Sequence, residues 1–75
     1  MTKEERAERR EELVGLYGVI STLRHAFRDF DNMPWVLPKG AKPALDRAGK
    51  EVQTAMRSVD RRITELEELL AGPEV

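Results

Sequence analysis

His25 is the only histidine of the chain, and Arg24 and Arg28 lie beside it. Imidazole is the side chain best suited to proton transfer near neutral pH. To act as a general base it needs a carboxylate to orient it and a cleft to hold a substrate. Here its near neighbours are cationic, and helical periodicity turns it away from the main apolar stripe described below. A solvated surface histidine is the expected role. The carboxylates offer little more. Asp29 and Asp31 with Asn32 give an oxygen-rich cluster, but the glycine and terminal glutamate of a calcium loop are missing. Glu65, Glu67 and Glu68 concentrate negative charge with nothing to organise it. The chain has no cysteine, which excludes thiolate metal sites, and a single histidine argues against a zinc site built by this chain alone. There is no glycine-rich phosphate loop and no serine-nucleophile motif. These residues point to a protein that is not an enzyme and uses no cofactor or metal. An active site completed between two chains would need a pocket lined by His25 and arginines.

Two other groups of residues point to binding. Lys39, Lys42, Arg47 and Lys50 form a candidate basic patch able to meet phosphates. Residues 24–62 carry nine Lys or Arg against five Asp or Glu, although the whole chain is balanced at a net charge of −1. No helix-turn-helix spacing accompanies the patch, and aromatic residues for base stacking are few. A small nucleic-acid-associated protein is therefore the alternative function, ranked below docking to another protein. Trp35, Val36 and Leu37 lie between Pro34 and Pro38 and form a candidate partner-binding loop. They have two readings: a plug folded over Phe30 and Leu45, or an exposed anchor on a stiffened backbone.

The strongest signal is a run with no chemistry in it. Residues 13–23, LVGLYGVISTL, hold no charge in a chain that is 36% charged. If the run is helical it is apolar or small on nearly every side, and such a helix is normally buried all round. Seventy-five residues scarcely suffice to surround it. Chains this small usually gain stability from disulfides, a metal or a partner chain, and the first two are not expected here.

The elements that carry these residues are two helices and a loop. Thr2 with Glu5 has capping-box spacing, so helix 1 spans about 3–32. Leu13, Leu16, Ile20, Leu23, Phe27 and Phe30 then recur at gaps of 3 and 4, an a/d pattern. Pro34 disfavours helical geometry before it. The loop covers about 33–42, and helix 2 about 43–71, opened by Pro43 and stopped by Gly72 and Pro73. Its stripe runs Leu45, Gly49, Val52, Met56, Val59, Ile63, Leu66, Leu70. The fold class expected is all-α: one domain over 1–75, an antiparallel two-helix, coiled-coil-like hairpin. In that arrangement Arg6, Arg9 and Arg10 lie beside Glu65, Glu67 and Glu68. The favoured register sets Leu13 against Leu66, Leu16 against Ile63, and Phe30 against the small Gly49.

That seam uses one stripe of helix 1. Val14, Gly15, Gly18, Val19, Thr22 and Ala26 lie on another side and form the candidate oligomer interface. Each glycine inside a helix costs roughly 1 kcal/mol relative to alanine, a cost more understandable where another backbone comes close. Association into a four-helix bundle, as a homodimer or with another protein, is the expectation. No signal peptide and no span of about 18–20 apolar residues is seen, so a cytoplasmic protein without membrane contact is expected. The function expected is a non-catalytic interaction or assembly protein of adaptor, structural or inhibitor type. It follows that His25→Ala should leave helicity by circular dichroism and biological activity nearly unchanged. Loss of activity with fold and assembly intact would restore His25 as a functional group.

Overall fold

The computed structural model describes residues 1–32 and 37–72, with only the backbone of Asp31. The chain is an all-helical hairpin: α1, Lys3–Asp31, packs against α2, Ala41–Ala71. It is a rod with extents of 59 × 15 × 14 Å.

Thr2 starts α1 by the mechanism its spacing predicts. Its backbone is extended (φ −73°, ψ 164°), and its hydroxyl accepts the Glu5 N–H at 3.1 Å. One otherwise orphaned amide of the first turn is thereby satisfied. Glu4 and Glu5 add negative charge at the positive end of the helix dipole. At the other end the Asn32 N–H still donates to the Arg28 carbonyl at 3.1 Å, with φ −100° and ψ 14°.

α2 begins at Ala41, two residues before the Pro43 start expected from sequence. The reason lies in a turn over residues 38–41. The Ala41 N–H donates to the Pro38 carbonyl at 3.0 Å, and Gly40 at the third position has φ 88° and ψ −9°. These are the angles of a type II turn, which a side chain at that position would strain. Pro43 then takes the third helical position. Its missing N–H is harmless there, because the first four amides of a helix have no acceptor inside it. α2 ends at Ala71, and Gly72 is extended (φ −68°, ψ 161°). That is the conformation a following proline favours, and Pro73 follows in the sequence.

The core is thin. Ile20, Ile63 and Leu66 are buried, Leu66 completely. Leu13, Leu16, Leu23, Phe27 and Phe30 of α1 are half-buried, as are Leu45, Val52, Met56, Val59 and Leu70 of α2. Gly49 departs from its expected part: a methyl group added there would meet no atom within 4 Å. Phe30 therefore does not fill the space the glycine leaves.

Polar contacts tie the first turns of α1 to the last turns of α2. Arg6 donates through Nη2 to the Leu70 carbonyl. The last turn of α2 contains no basic residue of its own. Arg6 thus brings positive charge to the negative end of that helix and satisfies one of its orphaned carbonyls. One ion pair between the helices near this end has an α1 acid and an α2 base. Glu12 of α1 receives Arg62 of α2 at 2.9 Å, and Arg62 also reaches Glu65 at 3.2 Å. Arg24 and Asp60 make a looser pair at 3.6 Å, both well exposed. Exposed pairs of this kind are each worth about 0–1 kcal/mol and align the helices more than they stabilise them. Arg6→Ala should lower hairpin stability by about 1 kcal/mol, read as a shift in the urea midpoint of the helical signal. An unchanged midpoint would mean that water serves the Leu70 carbonyl equally well.

Candidate interaction surface

A helix turns about 100° per residue, so the residues between the seam positions of α1 form a second face. Gly15, Gly18, Thr22 and Ala26 follow one another along it. Exposed apolar groups flank it: Val14 is 69% exposed, Tyr17 46% and Val19 45%. On this face lies a shallow groove of about 450 Å³ lined by Gly15, Gly18, Val19, Thr22 and Leu23. A methyl group added at Gly15 or at Gly18 would meet nothing within 4 Å. The packing of α2 therefore gives no reason for either glycine. The Thr22 hydroxyl donates to the Gly18 carbonyl at 3.1 Å. Its polar group is satisfied inside the helix and leaves no unpaired hydroxyl donor on the groove wall.

Four of the six residues assigned to this face from sequence, Gly15, Gly18, Val19 and Thr22, thus line one groove. Val14 and Ala26 lie outside the lining; Val14 is exposed, and Ala26 is half-buried. Leu23 had been placed in the seam alone, yet it also walls the groove. Its position at the edge of the a/d stripe is the signal that allows both roles. On α2, Leu69 is exposed to 47%.

Tyr17 has a partner that periodicity cannot reveal. The Glu67 carboxylate of α2 lies near its hydroxyl. Partial loss of water contact, followed by the nearby Glu67 charge and hydrogen bonding to it, raises its pKa above the ordinary 10.0. On the other flank, hydrogen bonds that Arg62 donates to Glu12 and then to Glu65 raise the pKa of its guanidinium above its usual value. Charged groups thus border the hairpin seam on both sides at the terminal end.

The other sequence candidates are dispersed. His25 is exposed, with Nδ1 2.9 Å from the Ser21 carbonyl, so the bond that orients it runs to its own helix. Lys39, Lys42, Arg47 and Lys50 are all exposed near the start of α2. Helical rotation places Lys42, Lys50 and Arg47 within an arc of about 140° on α2, with Lys50 between the other two, and Lys39 precedes the helix. Leu37 is half-buried, whereas Trp35 and Val36 lie outside the described residues. Among the described residues, no group of three His, Cys, Asp or Glu is placed to hold a metal ion. No helix among them is long and apolar enough to cross a membrane.

Comparison with known proteins adds no relative: no family model, curated protein or solved structure matches the chain.

The Tyr17–Glu67 contact is directly measurable, because the chain has a single tyrosine. Ultraviolet titration of the tyrosinate should give a midpoint above 10.0, moving down in Glu67→Gln. The folded-state pKa is raised, so the contact's stabilising contribution is complete below the unfolded-state value. It is lost as pH rises through the folded one. An identical midpoint in wild type and variant would show that the two side chains do not interact in solution.

Proposed function

We propose that this chain is a non-catalytic helical interaction protein that works by self-association. Two antiparallel hairpins would join through the second face of α1 into a four-helix bundle. The observation that carries this reading is the groove at Gly15 and Gly18, which none of the described residues fills. Helical interiors keep glycine at a cost of roughly 1 kcal/mol each. A closely approaching helix offsets that cost, because backbones without side chains between them pack tightly. The exposed Val14 and Val19 supply apolar area around the point of approach. Support for the antiparallel hairpin comes from Arg6 at the Leu70 carbonyl and Glu12 at Arg62. Nucleic-acid binding through Lys39, Lys42, Arg47 and Lys50 ranks below this function, since no helix-turn-helix spacing accompanies the patch and aromatic residues for base stacking are few.

Sedimentation tests the assignment through two changes of opposite character. Val19→Glu places an unpaired charge at the edge of the contact and should shift the chain to monomer, since burying such a charge costs several kcal/mol. Gly15→Ala combined with Gly18→Ala should keep or raise the helicity of the dilute chain, because each methyl fits the hairpin and favours helix. The same pair should raise the dissociation constant at least tenfold. Gly49→Ala is the control: it gains similar helix propensity and leaves association unchanged. A wild-type chain that is a well-folded monomer at micromolar concentration, with Val19→Glu equally stable, would remove self-association as the function of this face.

A further inference from the structure

We infer that the occupant of the groove is α1 of a second copy lying in reversed orientation, across a two-fold axis that passes close to Gly18. The inference rests on the self-association proposed above and fixes its geometry. Three features of the hairpin lead to it.

The first is position. α1 runs Lys3–Asp31, so the groove from Gly15 to Leu23 lies at its middle. A two-fold axis perpendicular to the rod at that point lays groove on groove. Such a contact is isologous and closes on itself as a dimer. The glycines then meet at the crossing, where neither helix interposes a side chain.

The second is the charge on the face itself. The turns leading to the groove expose Glu4, Glu8 and Glu11 on the same side as Gly15 and Thr22. Two copies running in the same direction would set each glutamate against its own counterpart. Like charges so placed act against association. Reversal moves them to the Ala26 end of the other face, where Asp29 is the one acid among the described residues.

The third is the charge of the whole rod. Arg62 pairs with Glu12 and Asp60 with Arg24, and these contacts divide the hairpin at the level of Gly18. On the terminal side the described residues carry eight Glu against five Lys or Arg. On the loop side they carry eight Lys or Arg against Asp29, Asp46, Glu51 and Asp60. Among the described residues the terminal side is therefore net negative and the loop side net positive. Reversed copies place unlike ends together twice, and copies in the same direction place like ends together twice. Screening over about 8 Å at physiological salt leaves this as an orienting effect, with apolar contact at the groove supplying the attraction.

The test uses the absence of native cysteine. Ala7 is exposed and uncharged, so Ala7→Cys carries one spin label without altering the charge pattern. Ala7 lies eleven residues from Gly18, about 16 Å along the helix. The reversed dimer should give a label-to-label distance of about 30 Å or more by pulsed electron resonance, in a sample that sediments as a dimer. A dimer with labels within about 20 Å would keep self-association and overturn the reversed arrangement. Open-ended growth with concentration would also overturn it, since unlike ends would then be joining in a chain and not about a two-fold axis. A monomer at every concentration would overturn both the arrangement and the self-association beneath it.

Discussion

Two helices packed together bury only the stripe that each turns to the other, and α1 carries more uncharged surface than one stripe can hold. The seam takes Ile20 into full burial and half-covers Leu13, Leu16 and Leu23. Geometry leaves Val14, Val19 and the two glycines outside. No choice of register between the helices changes this, because turning α1 to cover Val19 would uncover Leu13 and Leu16 by the same rotation. The thin core, the exposed groove and the dependence on polar contacts at the ends all follow from that limit. A hairpin with three buried residues has a small hydrophobic reserve, since full burial of an aliphatic side chain is worth about 1.5–3 kcal/mol. Contacts such as Arg6 with the Leu70 carbonyl then matter more than they would in a larger domain.

What could be read from the residues divides along a physical line. Thr2 is a local signal: its hydroxyl and the amide three residues on are brought together by the first turn itself, and the helix starts where the sequence indicates. The end of α2 is also local, set by a proline that constrains the residue before it. The start of α2 was displaced by two residues because Pro43 fits more than one position of a first turn. The decisive feature was the turn closed by Ala41 onto Pro38, with Gly40 left-handed inside it. Pairings across the seam are non-local and were read less well. Phe30 and Gly49 were matched by volume, yet the space beside the glycine is empty. Net charge at the helix ends does not reveal the Glu12–Arg62 pair, because the flank on which each side chain emerges decides the partner, and totals do not record flanks.

The candidate surface shows the same division. Gly15, Gly18, Val19 and Thr22 were legible because a run without charge is visible in one dimension and helical rotation sorts it into faces. Leu23 was assigned a single role because a heptad labels each position once, whereas a side chain at the edge of a stripe touches both neighbours. The Tyr17–Glu67 contact was invisible for a different reason: it depends on the relative height of the two helices, which the stripe leaves free by a whole heptad.

Glycine at positions 15 and 18 sets two levels of the molecule against each other. Within the hairpin each glycine weakens α1 at its centre, where fraying cannot hide the cost, and the empty space beside it offers no compensation. A partner helix changes the sign of that balance only when it is present, so folding and association become coupled through concentration. On the proposed function such a chain would be loosest when dilute and would gain order as copies accumulate. Alanine at the same positions would give a firmer monomer with a bulkier face, so stability of the single chain and affinity between chains would move in opposite directions. The sequence keeps the less stable helix with the open groove, and on the proposed function the face between chains is what that choice serves.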